Sequence, residues 1–151
     1  MKPKTKRKRI VIVDDHLLLR QGLERLLDLT DEFLVCGQVG TAAEGLAVVR
    51  QTRPDAVIVD ISLPDTDGIE LTKQIVGEFP KLPVLILSMH DEDECGALAR
   101  QAGAMGYILK SEAIDRLYRA LSDALEGRCT FSPALLNKEP RKPNADAVRL
   151  K

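Results

Sequence analysis

Five short apolar runs punctuate the chain, at residues 10–13, 34–39, 56–59, 84–87 and 107–109. Three of them, IVIV, AVIV and VLIL, are continuous and rich in valine and isoleucine. That is the pattern of strands buried on both faces, as in a parallel sheet. Between the runs the apolar period changes. Leu19, Leu23, Leu26 and Leu27 recur at helical spacing, as do Ile114, Leu117, Tyr118, Leu121 and Leu125, and each set makes one apolar stripe. Helices also fit residues 42–52, 69–79 and 92–101. The breakers agree, with Pro54 before the third strand, Pro80 and Pro83 before the fourth, and Gly103 and Gly106 before the fifth. Strict βα alternation predicts an α/β fold, a doubly wound parallel sheet with helices on both faces.

The helical pattern stops near Gly127, and the 24 residues that follow are fewer than the roughly 40 that usually fold alone. The expected organisation is a basic tail at 1–9, one folded unit at 10–127, and a linker or tail at 128–151. Charge sharpens this division. Residues 1–9 carry six basic side chains and no acid, and residues 138–151 carry five basic and two acidic ones. Of the chain's 22 basic and 23 acidic groups, residues 10–137 therefore hold 11 and 21, a net of −10. Such a body is a poor nucleic-acid surface and a good one for a divalent cation. The longest apolar runs are far shorter than a membrane span, and the N-terminal MKPKTKRKR lacks the apolar stretch of a signal peptide, so the expected location is the cytoplasm. Cys36, Cys95 and Cys129 are odd in number and show no CxxC spacing, so they read as small, partly buried thiols.

In open α/β sheets ligands bind beyond the carboxyl ends of the strands, so the residues that end each run are the candidates for chemistry. Asp14 and Asp15 follow the first, Asp60 ends the third, Ser88 the fourth and Lys110 the fifth. The second ends without a charge, as an edge strand can. Three clustered carboxylates repel unless a cation neutralises them. Mg²⁺ suits such a set, because it takes oxygen ligands from a few carboxylates and keeps room for phosphate oxygens. A carboxylate can also attack phosphorus to give an aspartyl-phosphate, with Lys110 and Mg²⁺ stabilising the transferring oxygens. His16 follows the acid pair. Since Mg²⁺ prefers oxygen, it reads as a loop or helix-start residue.

These residues, in this order, resemble the signature of response regulator receiver domains of bacterial two-component systems. IVIVDDH followed by LLLRQGLERLL is similar to the opening of the NarL/FixJ type. DISLPDTDGIEL places Pro64 and Gly68 four and eight residues after Asp60, and ILSMHDE, AGAMGYILKSEA and GRCTFSP match the same style. The resemblance covers about residues 9–135. It implies a flavodoxin-like (βα)5 fold with strand order 2-1-3-4-5. It also implies Asp60 as phosphoacceptor, and Mg²⁺ on Asp15, Asp60 and the backbone carbonyl of Ser62, with Asp14 acting largely through water. Lys110 and Ser88 would contact the phosphoryl group, and Tyr107 would be the switching aromatic. Ser62 and His90 occupy positions that tune dephosphorylation in the family. A sensor histidine kinase or a small acyl phosphate would be the donor.

The implied role is a phosphorylation-dependent switch, not an enzyme, controlling a DNA-binding transcription regulator. Members of this type usually continue into a helix-turn-helix domain, and no such domain follows here, so DNA contact would lie outside this segment. A stand-alone receiver, working as a phosphorelay shuttle or partner-binding module, is the alternative. A phosphorylation-dependent homodimer through Leu17, Leu18 and the last helix is a further expectation, and no membrane contact is expected. An Mg²⁺-dependent phosphohydrolase fits less well. It would want a second acid two residues past the nucleophile, where Ser62 stands, and a cap over the site. A flavin carrier fits poorly with 3% aromatics, no tryptophan and no glycine-rich phosphate loop.

Overall fold

A computed structural model describes residues 6–89 and 92–131. Five strands alternate with five helices: β1 (Lys8–Val13), α1 (Leu17–Asp28), β2 (Phe33–Val39), α2 (Ala42–Thr52), β3 (Ala56–Asp60), α3 (Gly68–Glu78), β4 (Val84–Ser88), α4 (Glu92–Gln101), β5 (Gly106–Leu109) and α5 (Ala113–Leu125), with a 3-10 turn at Lys110–Glu112. All strand pairings are parallel, in the order β2-β1-β3-β4-β5. This is the flavodoxin-like arrangement that the resemblance implies, and the parallel sheet that the alternation predicts. Among the described residues no helix is long and apolar enough to cross a membrane.

The continuous apolar runs are continuous because both sheet faces are covered. Ile10, Ile12, Ile58, Leu85, Leu87 and Ile108 point to one side, where Leu23 and Leu27 of α1 and Leu117 and Leu121 of α5 complete a core. Val11, Val13, Val57, Val59, Val84 and Ile86 point to the other, against Val49 of α2, Leu71 and Ile75 of α3 and Ala99 of α4. Period-2 alternation thus sorts neighbours into two cores. Helix starts use local caps: the Thr41 side chain accepts from the Glu44 amide and Asp67 from the Glu70 amide.

The packed unit passes both edges expected from the sequence. At the front, Lys8 and Arg9 belong to β1 rather than to a tail. The Lys8 amide donates to Glu32 O at 2.8 Å. The Arg9 amide donates to Asp55 Oδ2 at 2.7 Å, and its guanidinium binds the carbonyls of Thr52 and Arg53, where a helix end leaves acceptors unfilled. At the back, the Thr130 amide donates to Met105 O at 2.7 Å and Thr130 O accepts from the Tyr107 amide at 3.0 Å. Phe131 is then 3% exposed within the second core. A lone aromatic beyond a glycine carries no periodic signal, so a sequence pattern ends too early here. The remainder of the expected tail, 132–151, lies outside the described residues. The last helix also differs in detail. Its buried stripe is Ala113, Leu117, Ala120, Leu121 and Ala124, whereas Ile114 faces solvent.

Because Phe131 fills a buried site, Phe131→Ala should cost about 3–5 kcal/mol of unfolding free energy. Urea denaturation checks this, and a change near zero would place Phe131 outside the core.

Candidate functional site

Since every strand is parallel, all carboxyl ends share one rim, and the third strand delivers Asp60 to it as its last residue. Asp14 leaves β1 with its amide donating to Val39 O at 3.0 Å. Its side chain is wholly buried, and Oδ1 accepts from the His16 amide at 2.8 Å. Asp60 is 1% exposed. Its Oδ1 accepts from the Ser62 amide at 3.1 Å and its Oδ2 from Lys110 Nζ at 2.9 Å. The same ammonium lies 3.2 Å from Asp14 Oδ2, so one lysine, delivered just past β5, ties together the ends of β1 and β3. Asp15 joins the group at the rim, partly exposed.

The loop after Asp60 turns back on the strand. The Gly68 amide donates to Ile61 O at 2.8 Å, and a Cβ at Gly68 would stand 2.3 Å from the Asp60 carbonyl oxygen. Glycine is required by that approach. Asp65 then pins the loop to α2. Its carboxylate accepts from the amides of Ala42 and Ala43 at 2.9 and 3.0 Å, and these bonds hold it below the usual carboxylate range.

Burial pushes Asp60 above the ordinary carboxylate range. The Lys110 ammonium and the Ser62 amide oppose the shift, and the charge of Asp14 adds to it. Two buried carboxylates thus share one lysine, with the Asp15 carboxylate beside them. Asp14 Oδ2 is buried with no hydrogen-bond partner, and its ion-pair contact is the Lys110 ammonium at 3.2 Å. An orphaned buried oxygen among acids is what a hard divalent cation would satisfy, so the residues fit Mg²⁺.

Ser88 ends β4 and is buried, with Leu109 of β5 as its register partner. Tyr107 is buried in the second core, paired with Ile86. The structure therefore gathers Asp14, Asp15 and Asp60 within 4.8 Å of one another, with Lys110 in contact with Asp14 and Asp60, Ser88 at the adjacent strand end and Ser62 in the loop. His90 lies outside the described residues. One residue, and one contact of a residue already placed, escaped the reading of the sequence. Asp65 works across elements, which spacing cannot reveal. His16 does start α1, but its ring turns into the acids. Nδ1 lies 3.0 Å from Asp14 Oδ1, 3.3 Å from Asp15 Oδ1, 3.8 Å from Asp60 Oδ2 and 3.0 Å from Lys110 Nζ. Its position beside the acid pair was the available signal. At the opposite end of the sheet, an apolar concavity lined by Val49, Pro54, Phe79, Pro80 and Leu82 carries the Arg53–Phe79 cation–π pair and none of these acids.

Residues 10–122 match the family model described as response regulator receiver domain. The chain is 40% identical over 120 residues to the DNA-binding transcriptional activator DevR/DosR of Mycobacterium tuberculosis, covering 80% of this chain and 55% of that protein. It is 33% identical over 136 residues to the transcriptional regulatory protein DegU of Brevibacillus brevis, covering 88% of this chain and 58% of that one. The chain thus spans little more than half the length of these curated relatives. Among solved structures, a LuxR-family two-component response regulator from Aurantimonas sp. SI85-9A1 superposes with a TM-score of 0.82 at 32% identity, over 97% of this chain and all of that one. The chain belongs to the response regulator receiver domain family, within the NarL/LuxR group, and is a receiver of the two-component kind.

The raised Asp60 fixes a pH dependence. The native state binds that proton more tightly than the unfolded chain does. Ionisation therefore costs stability, with no cost below the unfolded value of about 3.9 and the full cost once pH passes the folded value. In metal-free protein at neutral pH, Asp60→Asn should raise Tm. The gain should disappear in acid, below the unfolded value. Calorimetry at the two pH values checks this, and a lower Tm for the variant at neutral pH would contradict the electrostatic account.

Proposed function

We propose that Asp60 is the phosphoacceptor of a phosphorylation-dependent switch that controls a DNA-binding transcription regulator. The observation that carries this is the bridge from Lys110 Nζ to Asp60 Oδ2 at 2.9 Å, at the end of a buried strand and beside a second buried acid. Asp60 Oδ would attack the phosphorus of a sensor kinase's phosphohistidine or of an acyl phosphate. The O–P bond forms as the donor's N–P or O–P bond breaks, and the electron pair leaves with the imidazole or carboxylate. Asp15 and Asp60, with the carbonyl of Ser62, would hold Mg²⁺ directly, and Asp14 through water. When bound, Mg²⁺ supplies positive charge for the transferring oxygens. Lys110 then exchanges its carboxylate contact for a phosphoryl oxygen.

The product adds roughly 1.5 to 2 negative charges and new acceptors at the rim. Ser88 would donate to them, and Tyr107, on the neighbouring strand, would follow. Turning such a two-state element from 1:99 to 99:1 takes about 5.5 kcal/mol of differential interaction. The readout face would be that of α4, β5 and α5. Exposed Leu17 and Leu18 on α1, with Ile114 and Tyr118 on α5, support a phosphorylation-dependent homodimer. The relatives named above are transcriptional regulators, which supports a transcriptional output through a DNA-binding segment rather than through this acidic body. The switch is assigned to the cytoplasm and to signalling rather than to turnover of a substrate.

Incubation with Mg²⁺ and acetyl phosphate should add the mass of one phosphoryl group to the wild-type protein. Asp60→Asn, or EDTA, should abolish the gain. Intact-mass spectrometry decides: no gain in the wild type sinks the reading, and a gain that survives in Asp60→Asn moves the acceptor elsewhere.

A further inference from the structure

Magnesium chemistry has no use for the imidazole at the rim. Yet His16 Nδ1 stands 3.0, 3.3 and 3.8 Å from oxygens of Asp14, Asp15 and Asp60. One ligand atom from each of these four residues falls within 4.8 Å of every other. Donor atoms arranged about one ion at about 2.1 Å are separated by roughly 3.0–3.4 Å at the octahedral and tetrahedral angles. The three separations from Nδ1 run from that range to just above it, so the nitrogen stands near ligand spacing from each acid. Asp14 Oδ2 adds a fully buried oxygen without a hydrogen-bond partner. The ring is tethered at the N-cap of α1, where its own amide is bonded to Asp14. Its nitrogen is thereby presented by the backbone rather than by a freely swinging loop. Nδ1 lies 3.0 Å from both Asp14 Oδ1 and Lys110 Nζ, so the tautomer sets whether it donates to the one or accepts from the other, and as a ligand it would offer its unprotonated lone pair to the ion.

We infer that His16 is a metal ligand, and that it gives this rim a nitrogen donor selecting late first-row transition ions over Mg²⁺. The inference rests on the reading of the rim as a cation site. Carboxylates and water serve Mg²⁺ and Mn²⁺, whereas imidazole favours Co²⁺, Ni²⁺ and Zn²⁺. An imidazole nitrogen beside the carboxylates therefore gives such an ion a bond that Mg²⁺ does not use. The same ion would occupy the space Mg²⁺ needs, so a transition ion at low concentration would compete with it.

Co²⁺ is the suitable probe. Zn²⁺ would also meet the thiols of Cys36, Cys95 and Cys129, and a Co²⁺–thiolate bond betrays itself by charge-transfer absorption. Calorimetric titration with Co²⁺ and with Mg²⁺ would be run on the wild type, His16→Ala and His16→Gln, with visible spectra of the Co²⁺ forms. His16→Ala should lower the ratio of Co²⁺ to Mg²⁺ affinity about tenfold or more, shift the Co²⁺ d–d bands, and leave no thiolate band in either protein. His16→Gln, which supplies an oxygen donor, should keep the low ratio. An unchanged ratio and unchanged bands, with Mg²⁺ still bound, would overturn the role of His16 and leave the cation site standing. Failure of the wild type to bind either ion would overturn the cation site itself, and this inference with it.

Discussion

Everything at the rim depends on one ion pair. Lys110 Nζ reaches Asp60 at 2.9 Å and Asp14 at 3.2 Å, from the end of the edge strand of a five-stranded parallel sheet. Two buried carboxylates so close would otherwise force one of them to stay protonated. A single lysine cannot neutralise both, and Asp15 and His16 crowd the same space. The rim is thus held in a state of unfinished compensation: folded, but with burial pushing Asp60 upward and an oxygen of Asp14 left without a hydrogen bond. The apolar strands beneath it supply the stability that makes such an arrangement tolerable.

That constraint joins fold to function. Strands buried on both faces cannot host charges along their length, so polar groups collect where the strands end. Parallel pairing then puts all those ends on one side. Asp60 is held from below by β3 and from above by the loop that Gly68 folds back onto its carbonyl, while Asp65 anchors that loop to α2. An incoming phosphoryl group would meet a site already shaped for charge, and β4 and β5 lead away from it through Ser88 and Tyr107, which lie on adjacent strands. In the proposed reading the resting ion pair is what phosphorylation replaces, and the difference between the two charge states biases the fourth and fifth elements.

Most of this was legible in the residues themselves. IVIV, AVIV and VLIL announce central strands because no other element buries four consecutive apolar side chains, most of them β-branched or leucine, so evenly, and strand-end acids follow directly. Besides the Asp65 contact, three features were not legible, each for a physical reason. Lys8 and Arg9 look like tail because basic residues dominate residues 1–9, yet Arg9 is spent on the carbonyl end of α2. Phe131 lies past a glycine and belongs to no period, and its burial comes from Thr130 pairing beside β5. His16 is an ordinary helix-start residue by spacing, and only the local turn, with its amide on Asp14, swings the ring over the acids. Local pattern predicts elements well, whereas contacts between loops depend on turn geometry that side-chain identity alone does not encode.

The central claim is that the buried carboxylate of Asp60, and no other acid at the rim, takes the phosphoryl group. The most direct measurement is borohydride reduction of the protein after treatment with Mg²⁺ and acetyl phosphate, followed by peptide mass mapping. An acyl phosphate at Asp60 would be reduced to homoserine in the peptide that contains DISLPDTDG, with Asp14 and Asp15 unmodified. Homoserine at position 14 or 15, or none at all in phosphorylated protein, would contradict the account.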